Sequence, residues 1–124
     1  MSGMPDALAR TPKPPYYAVI FTSRRTAVDP EGYDRTADRM VELAATMPGF
    51  LGIESARNSN GVGITVSYWE SLDSIRRWRE HAEHRLAQRA GKERWYERYS
   101  LRVCWVEKEY SFRSAEGVQA HHGD

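Results

Sequence analysis

The sequence predicts a small α+β domain in which four strands and two helices follow one another in the order β-α-β-β-α-β. Three observations lead to this class. Aromatic and β-branched runs have the length of strands, and two segments repeat apolar residues at helical spacing. A turn-forming sequence, Asn58-Ser59-Asn60-Gly61, also separates two of the strand-like runs. The chain has 124 residues, which corresponds to one domain.

The first strand and the first helix lie before residue 49. The range Tyr16–Thr22 is aromatic and β-branched, so it predicts a strand. Asp29-Pro30 marks a turn, and from Tyr33 to Met47 apolar residues recur every three or four positions, as on one face of a helix. Pro48-Gly49 then ends this helix.

The second half of the domain contains three strands and one helix. Phe50–Arg57 and Val62–Trp69 predict the two arms of a hairpin, and Leu101–Tyr110 predicts the last strand. Ser71 is placed to cap the intervening helix. That helix is predicted from an apolar stripe formed by Leu72, Ile75, Trp78, Ala82 and Leu86.

This element order predicts a four-stranded antiparallel sheet with both helices on one face, the ferredoxin-like plait. The other face would stay uncovered. Alternate strand residues are too apolar to face water, and a symmetric homodimer packed sheet on sheet would bury them. These residues are Tyr17, Val19, Phe21, Leu51, Ile53, Cys104 and Val106.

The two ends of the chain are predicted to be flexible tails around a folded domain of residues 16–112. Residues 1–15 are rich in proline and lack apolar periodicity, and residues 113–124 have no pattern to bury. The terminal pair His121-His122 is only a weak signal for metal binding, so we predict no metal site.

Composition excludes several classes of protein. The net charge of +1 gives no field that would attract nucleic acid, and no apolar run is long enough to span a membrane. The N-terminus lacks the apolar core of a signal peptide, so we expect a cytoplasmic protein. Cys104 is the single cysteine, which excludes an intrachain disulfide or a CxxC metal site.

Aromatic and imidazole side chains cluster between Trp69 and Trp95, which holds three of the four tryptophans and two of the four histidines. Such a cluster encloses a flat apolar ligand beside a proton-transfer group, but it also describes a small hydrophobic core. Trp78 lies on the apolar stripe, and only one of Tyr68 and Trp69 can face the helices. Trp95 either forms a cavity wall or closes one end of the sheet.

His84 is the candidate base, and its role depends on the course of the second helix. On an unbroken helix it lies about 180° from Ile75 and faces solvent. A break near Ala82 would instead bring it onto a new face with Gln88 and Gly91, where small residues leave room beside it. Near neutral pH it could then accept a proton from a phenol. A lesser candidate is His81.

Basic residues outnumber glutamates around this helix. They favour a solvated helix face with paired charges, and the alternative is a cation rim that attracts carboxylates. The basic residues are Arg76, Arg77, Arg79, Arg85, Arg89, Lys92, Arg94, Arg98 and Arg102.

Several segments together resemble the antibiotic biosynthesis monooxygenase (ABM) family over roughly residues 16–112. The resemblance implies a dimeric α/β barrel. It also implies oxygenation of a small aromatic or polycyclic phenol, without a metal or organic cofactor. The segments are Pro48-Gly49-Phe50, Thr65-Val66-Ser67-Tyr68-Trp69, Trp78, Glu83-His84, Gln88, Gly91 and Trp95-Tyr96.

In that scheme the catalytic residue is His84, and the substrate contacts are Trp78, Trp69, Tyr68, Ser67, Gln88 and Trp95. A haem-binding or haem-degrading protein of the same fold is one alternative. Its pattern combines an Asn on the first strand with a Trp and a His ten residues apart on the second helix. Trp78 matches the Trp of this pattern. The first strand has Thr22 and Ser23 in place of the Asn, and Gln88 occupies the position ten residues after Trp78, where the pattern has His. The second alternative is a non-catalytic dimer that binds a ligand.

Overall fold

The computed structural model describes residues 8–85 and 95–114, except for the side chains of residues 83–85. It confirms the predicted order of elements. The elements are β1 (Tyr16–Arg25), α1 (Pro30–Ala45), β2 (Phe50–Arg57), β3 (Val62–Trp69), α2 (Leu72–Arg85) and β4 (Tyr96–Val106).

The four strands form one antiparallel sheet in the order β2-β3-β1-β4. Both helices contribute to a core on the same face of this sheet, where Val19 and Trp69 meet Ala44 of α1 and Ile75 of α2. The predicted ferredoxin-like plait is therefore confirmed. Helix α1 contacts β2, and helix α2 contacts β3.

Strand boundaries depart from the sequence expectation at β1 and β4. Strand β1 continues to Arg25, three residues beyond Thr22, and β4 begins at Tyr96 and ends at Val106 instead of running from 101 to 110. The cause is the pairing between the two strands. Tyr96 lies opposite Arg25 and Val106 lies opposite Tyr16, so residues after Val106 have no neighbouring strand to bond.

Both helices begin at well-formed caps. The Asp29 carboxylate accepts a hydrogen bond from the Gly32 N–H at 3.1 Å, and Pro30 occupies the first helical turn. At α2 the Ser71 hydroxyl accepts from the Ser74 N–H at 3.1 Å, while the Ser74 hydroxyl accepts from the Ser71 N–H at 3.2 Å. This reciprocal pair satisfies two donors that have no partner within the helix.

Helix α2 is continuous from Leu72 to Arg85, so the helix does not break near Ala82. Ala82 itself is buried. Ion pairs cover the outer side of the first turns, because Asp73 binds both Arg76 and Arg77 and Glu80 binds Arg76 at 3.2 Å. These pairs agree with a solvated, paired helix face, which contributes little to stability.

The strand register corrects the predicted composition of the uncovered face. Tyr17, Val19 and Phe21 lie on the helix face, in line with Trp69, Ser67 and Thr65 of β3. Ile53 lies on that face too, opposite Ser67, and Leu51 lies at an irregularity of the β2–β3 ladder. The sequence pattern could not tell which parity of β1 faces the helices, because both parities are apolar. Cys104 and Val106 do lie on the open face, as predicted, and the other apolar residues there are Ile20, Val62, Ile64 and Val66.

Residues 8–15, part of the predicted N-terminal tail, lie against the sheet. The Ala9 N–H donates to the Glu54 carboxylate at 2.9 Å, and the hydroxyls of Thr11 and Tyr16 are 2.7 Å apart. Ala9 also lies directly over Gly52 of β2. This segment therefore crosses the outer part of the open face.

Within the described residues, no helix is both long and apolar enough to cross a bilayer.

Candidate functional site

A row of aromatic rings runs from β2 to α2 on the helix face of the sheet. Phe50 packs its edge against Trp69, with 5.4 Å between the ring centres, and Trp69 stacks on Trp78 at 6.0 Å. Trp78 in turn contacts the half-buried imidazole of His81 at 6.3 Å. Trp69 is fully buried, so this part of the row belongs to the core.

The helix layer does not cover β4 in the same way. Leu101, Val103 and Trp105 are paired with Phe21, Val19 and Tyr17, so all three point to the helix face. Yet their exposed fractions are 40%, 46% and 55%. These three residues, called the β4 strip below, form an apolar shelf beside the buried aromatic row. Tyr17 joins the two regions, because its ring packs against Trp105 at 4.9 Å and also contacts the core.

Ser67 and Trp69, two predicted substrate contacts, lie together on the helix face. Ser67 is buried, and its hydroxyl accepts a hydrogen bond from the Trp69 indole N–H at 2.9 Å. This bond fixes the indole plane, which presents its face to Trp78. The hydroxyl keeps its own proton for a further hydrogen bond.

Tyr68 lies on the open face, away from Trp69 and Ser67. Its hydroxyl donates to the Glu54 carboxylate at 2.6 Å, and its ring packs edge-on against Tyr16. Burial and the Glu54 carboxylate, which accepts a hydrogen bond from the phenolic hydroxyl, together raise the pKa of Tyr68. Within one chain, Tyr68 therefore does not share a cleft with Trp69 and Trp78.

Trp95 belongs to a second aromatic cluster at the other end of the helix face. It is buried and packs edge-on against Tyr33 of α1, which also contacts Tyr96. Tyr96 contacts Phe21 and Tyr99 in addition, so the first half of β4 is well covered. Burial raises the pKa of the Tyr96 hydroxyl well above its usual range, and the neighbouring Tyr33 adds to this effect.

Two arginines hold Tyr33 in this cluster. The Arg25 guanidinium lies 4.3 Å from the Tyr33 ring centre, and Arg57 donates to the Tyr33 hydroxyl at 2.7 Å. Arg57 reaches Tyr33 by crossing β3 at Gly63, where a side chain would collide with the guanidinium. The cluster thus cross-links α1, β1 and β2 through cation–π and hydrogen-bond contacts.

Two predicted site residues lie outside what the structure describes. Gln88 falls in the undescribed range 86–94, and only the backbone of His84 is described. The helix break that would bring His84 to a new face is not present in α2. Among the described residues, no group of three His, Cys, Asp or Glu side chains comes close enough to hold a metal ion.

Sequence reasoning missed the β4 strip and Tyr17 as site residues. The signal was the spacing of Leu101, Val103 and Trp105, which places three apolar side chains on one face of a strand. The sequence does not show whether a helix covers this strand. An edge strand with one apolar face looks the same in sequence whether or not a helix lies over it.

Comparison with known proteins supports an assignment to a family. The profile of the antibiotic biosynthesis monooxygenase family matches residues 19–90, which include β1 from Val19 onward, both helices up to Arg85 and the β2–β3 hairpin. The chain belongs to the ABM family.

Two known proteins are similar to this chain in sequence. The uncharacterized protein YqjZ of Bacillus subtilis is 54% identical over 110 residues, which cover 89% of this chain and 96% of YqjZ. The jasmonate monooxygenase ABM of Pyricularia oryzae is 33% identical over 94 residues, which cover 73% of this chain. The matched region spans only 43% of the fungal enzyme.

Two solved structures share the fold at low sequence identity. PA3566 from Pseudomonas aeruginosa superposes with a TM-score of 0.62 at 14% identity, over 77% of this chain and 97% of that protein. A protein of unknown function from Thermobifida fusca, described as dimeric and ferredoxin-like, gives a TM-score of 0.61 at 13% identity. That match covers 81% of this chain and all of the Thermobifida protein.

Proposed function

We propose that this ABM protein is a monooxygenase that oxidises a small aromatic or polycyclic phenol over the β4 strip, without a metal or organic cofactor. The observation that carries the proposal is the exposure of Leu101, Val103 and Trp105 on the face that the helices otherwise bury. A monomeric domain rarely leaves such a shelf open next to its core unless a ligand or partner covers it.

The shape and chemistry of this surface suit a flat, apolar molecule. Trp105 and Tyr17 form an edge-on aromatic pair at one end, and Trp78 adds an aromatic ring on the side of α2. Polycyclic phenols bury mostly ring carbons and need few hydrogen bonds. The family assignment and the name of the Pyricularia relative support oxygenation as the reaction.

The reaction can be balanced with dioxygen as the only co-reactant. A base removes a proton from an activated CH₂ group of the substrate, and the resulting anion supplies the electrons that reduce O₂. A C–O bond forms to give a hydroperoxide. The O–O bond then breaks with loss of the second hydrogen, so that one oxygen atom stays as a carbonyl and the other leaves as water. Excluding bulk water protects the anion.

The base in this scheme is a histidine on the second helix. His84 is the residue that sequence analysis proposed. His81, in contact with Trp78, is the candidate whose side chain the structure describes. Replacing each histidine in turn with Gln distinguishes these two candidates. The true base shows a large fall in kcat with little change in ligand affinity, whereas a positioning residue changes both.

Binding and turnover are tested with two related compounds. Dihydroxyanthraquinone, which is stable in air, reports binding through quenching of tryptophan fluorescence. Dihydroxyanthrone reports turnover in an oxygen electrode with EDTA present. We expect saturable quenching, and one O₂ consumed for each quinone formed. Val103→Asp should weaken binding about tenfold or more, because it buries a carboxylate against an apolar ligand.

Leu72→Asp is the matched control for this variant. Leu72 has a comparable exposed fraction of 56% but lies at the start of α2, away from the strip. Equal loss of binding in Val103→Asp and Leu72→Asp would remove the β4 strip from the proposal. No turnover by a protein that binds the quinone normally would leave a ligand-binding protein. A haemin titration with a Soret shift would favour the haem alternative.

The protein is also proposed to act as a homodimer that packs the open faces of two sheets together. Support comes from the exposed Ile64 and the half-buried Ile20 and Val66 on that face, and from the dimeric Thermobifida relative in structure. Such a barrel buries the apolar positions that the helices leave uncovered.

A further inference from the structure

The segment that follows β4 carries two aromatic side chains that its own chain leaves in solvent. Tyr110 is 86% exposed and Phe112 is 88% exposed. They stand two residues apart, so in an extended segment both point to the same side. Large aromatic residues are costly to leave in water, and an adjacent pair at this exposure marks a surface for a partner. Residues 107–113 are called the C-terminal arm below.

An apolar groove lies at the opposite edge of the sheet. It has a volume of about 300 Å³ and runs between the N-terminal segment, helix α1 and the start of β2. Its floor and walls are mostly aliphatic, with Arg10 as the charged residue on its rim. The lining residues are Leu8, Ala9, Arg10, Val41, Ala45, Phe50, Gly52 and Ile53.

The arm and the groove lie at the same end of the sheet. Val106, the last residue of β4, is paired with Tyr16, and the neighbouring Tyr17 is paired with Trp69. Trp69 lies opposite Phe50, the first residue of β2 and part of the groove. The two features are therefore at one level along the strands but on opposite edges.

Symmetry then brings them together. When two sheets stack about a two-fold axis parallel to their strands, the β4 edge of each chain lies over the β2 edge of its partner, and the levels along the strands are preserved. Residues 8–15 lie on the open face at this edge, so the two sheets are separated there by more than the usual distance of about 10 Å. Six extended residues span about 20 Å, so an arm is long enough to cross. An axis perpendicular to the strands would place each arm at the wrong end.

We propose that the C-terminal arm of each chain crosses to a second copy and seats Tyr110 and Phe112 in the partner's groove at the β2 edge. This inference rests on the homodimer proposed above. Both surfaces are apolar, since the groove is lined mostly by aliphatic side chains and the arm offers two exposed aromatic rings. The exchange fixes the direction of the two-fold axis and closes the free edge of β2.

Disulfide trapping tests the exchange in the full-length chain. In a Cys104→Ala background, one preparation carries Phe112→Cys and another carries Ala45→Cys, at an exposed residue of the groove. After the two are mixed under mild oxidation, we expect a covalent dimer that forms only in the mixture. Leu72→Cys replaces Ala45→Cys in the control, because it is exposed and lies on α2.

Three outcomes of the trapping experiment would contradict the exchange. Equal trapping by Leu72→Cys, or no trapping with Ala45→Cys, contradicts docking at the groove. A chain carrying both Phe112→Cys and Ala45→Cys that closes on itself as a monomer shows docking within one chain and also contradicts the exchange.

The association constant provides a second, independent measurement. In sedimentation equilibrium, Tyr110→Ala/Phe112→Ala should weaken dimerisation about tenfold or more, whereas Leu72→Ala should leave it unchanged. Both arm residues are exposed in the single chain, so the double variant should fold normally. A dimer of unchanged affinity overturns only the arm exchange. A wild-type chain that stays monomeric at all concentrations overturns the homodimer as well.

Discussion

Strands β3 and β4 flank β1 on the same face of the sheet, but the second half of β4 is left uncovered. At equivalent positions beside Tyr17, Trp69 on β3 is fully buried, whereas Trp105 on β4 is 55% exposed. The same residue type thus serves as core on one strand and as open surface on the other. The difference comes from α2, which follows β3 directly and packs back against it. Whether a helix covers a residue, and not the chemistry of its side chain, therefore decides whether that residue belongs to the core or to the candidate site.

The two tryptophans provide the strongest test of this comparison. Trp69→Ala should lower the free energy of unfolding by about 3–5 kcal/mol, because it leaves a cavity among Phe50, Trp78 and the aliphatic core. Trp105→Ala should cost about 1 kcal/mol or less, since most of its surface is already in water. Urea unfolding measures both, and similar losses would show that β4 is covered in solution.

The glycine that positions α2 is expected to give the next largest effect. Gly49 has a φ of 86°, and a β-carbon there would lie 2.5 Å from the Ser74 β-carbon at the start of the helix. Gly49→Ala should therefore cost about 3 kcal/mol through backbone strain and overpacking. It should also increase exposure of Trp69, seen as a red shift in fluorescence. An unshifted spectrum with full stability would mean that this contact does not hold α2 in place.

Ser67 and Val103 form a smaller matched pair, because both lie opposite Val19 of β1. Ser67→Ala removes the acceptor of the buried Trp69 indole N–H and should cost about 1–2 kcal/mol. Val103→Ala, in the exposed β4 strip, should lower the free energy of unfolding by about 0.5 kcal/mol. The comparison fails if thermal unfolding shows the larger loss in Val103→Ala.

The smallest effect is confined to alkaline pH and concerns the covered first half of β4. Burial raises the pKa of Tyr96 in the folded state, so above about pH 10 the unfolded chain loses this proton while the folded chain keeps it. Stability should therefore fall as the pH rises, by at most about 1.4 kcal/mol per pH unit from this group. Tyr96→Phe should make the decline shallower. An identical slope in the variant would exclude Tyr96 as the cause.

Sequence patterns predicted the fold well because periodicity and turn chemistry are local. The bounds of β2 and β3 follow from strand-like runs on both sides of Asn58–Gly61, and the Ser71 cap follows from its position before an apolar stripe. The extent of β4 could not be read in this way. It depends on where its partner β1 starts, at Tyr16, and no local signal in β4 records that.

The candidate site was only partly accessible to sequence reasoning. Ser67 and Trp69 share one face because side chains alternate along β3, and Trp78 of α2 stacks on Trp69 from the helix layer. Tyr68 is separated from them by strand alternation, and its hydroxyl bonds Glu54 across the β2–β3 pair. Whether the β4 strip is exposed depends on which strands the helices cover. Tertiary packing decides this, and the local sequence does not record it.

The short segment over β2 has a kinetic consequence. Near the start of this segment, the Glu54 carboxylate accepts one hydrogen bond from the Ala9 N–H and another from the Tyr68 hydroxyl. A terminal segment outside the sheet opens more often than the sheet unfolds. Its amide protons should therefore exchange with solvent early, and a protease should cleave near Arg10 while the sheet stays intact.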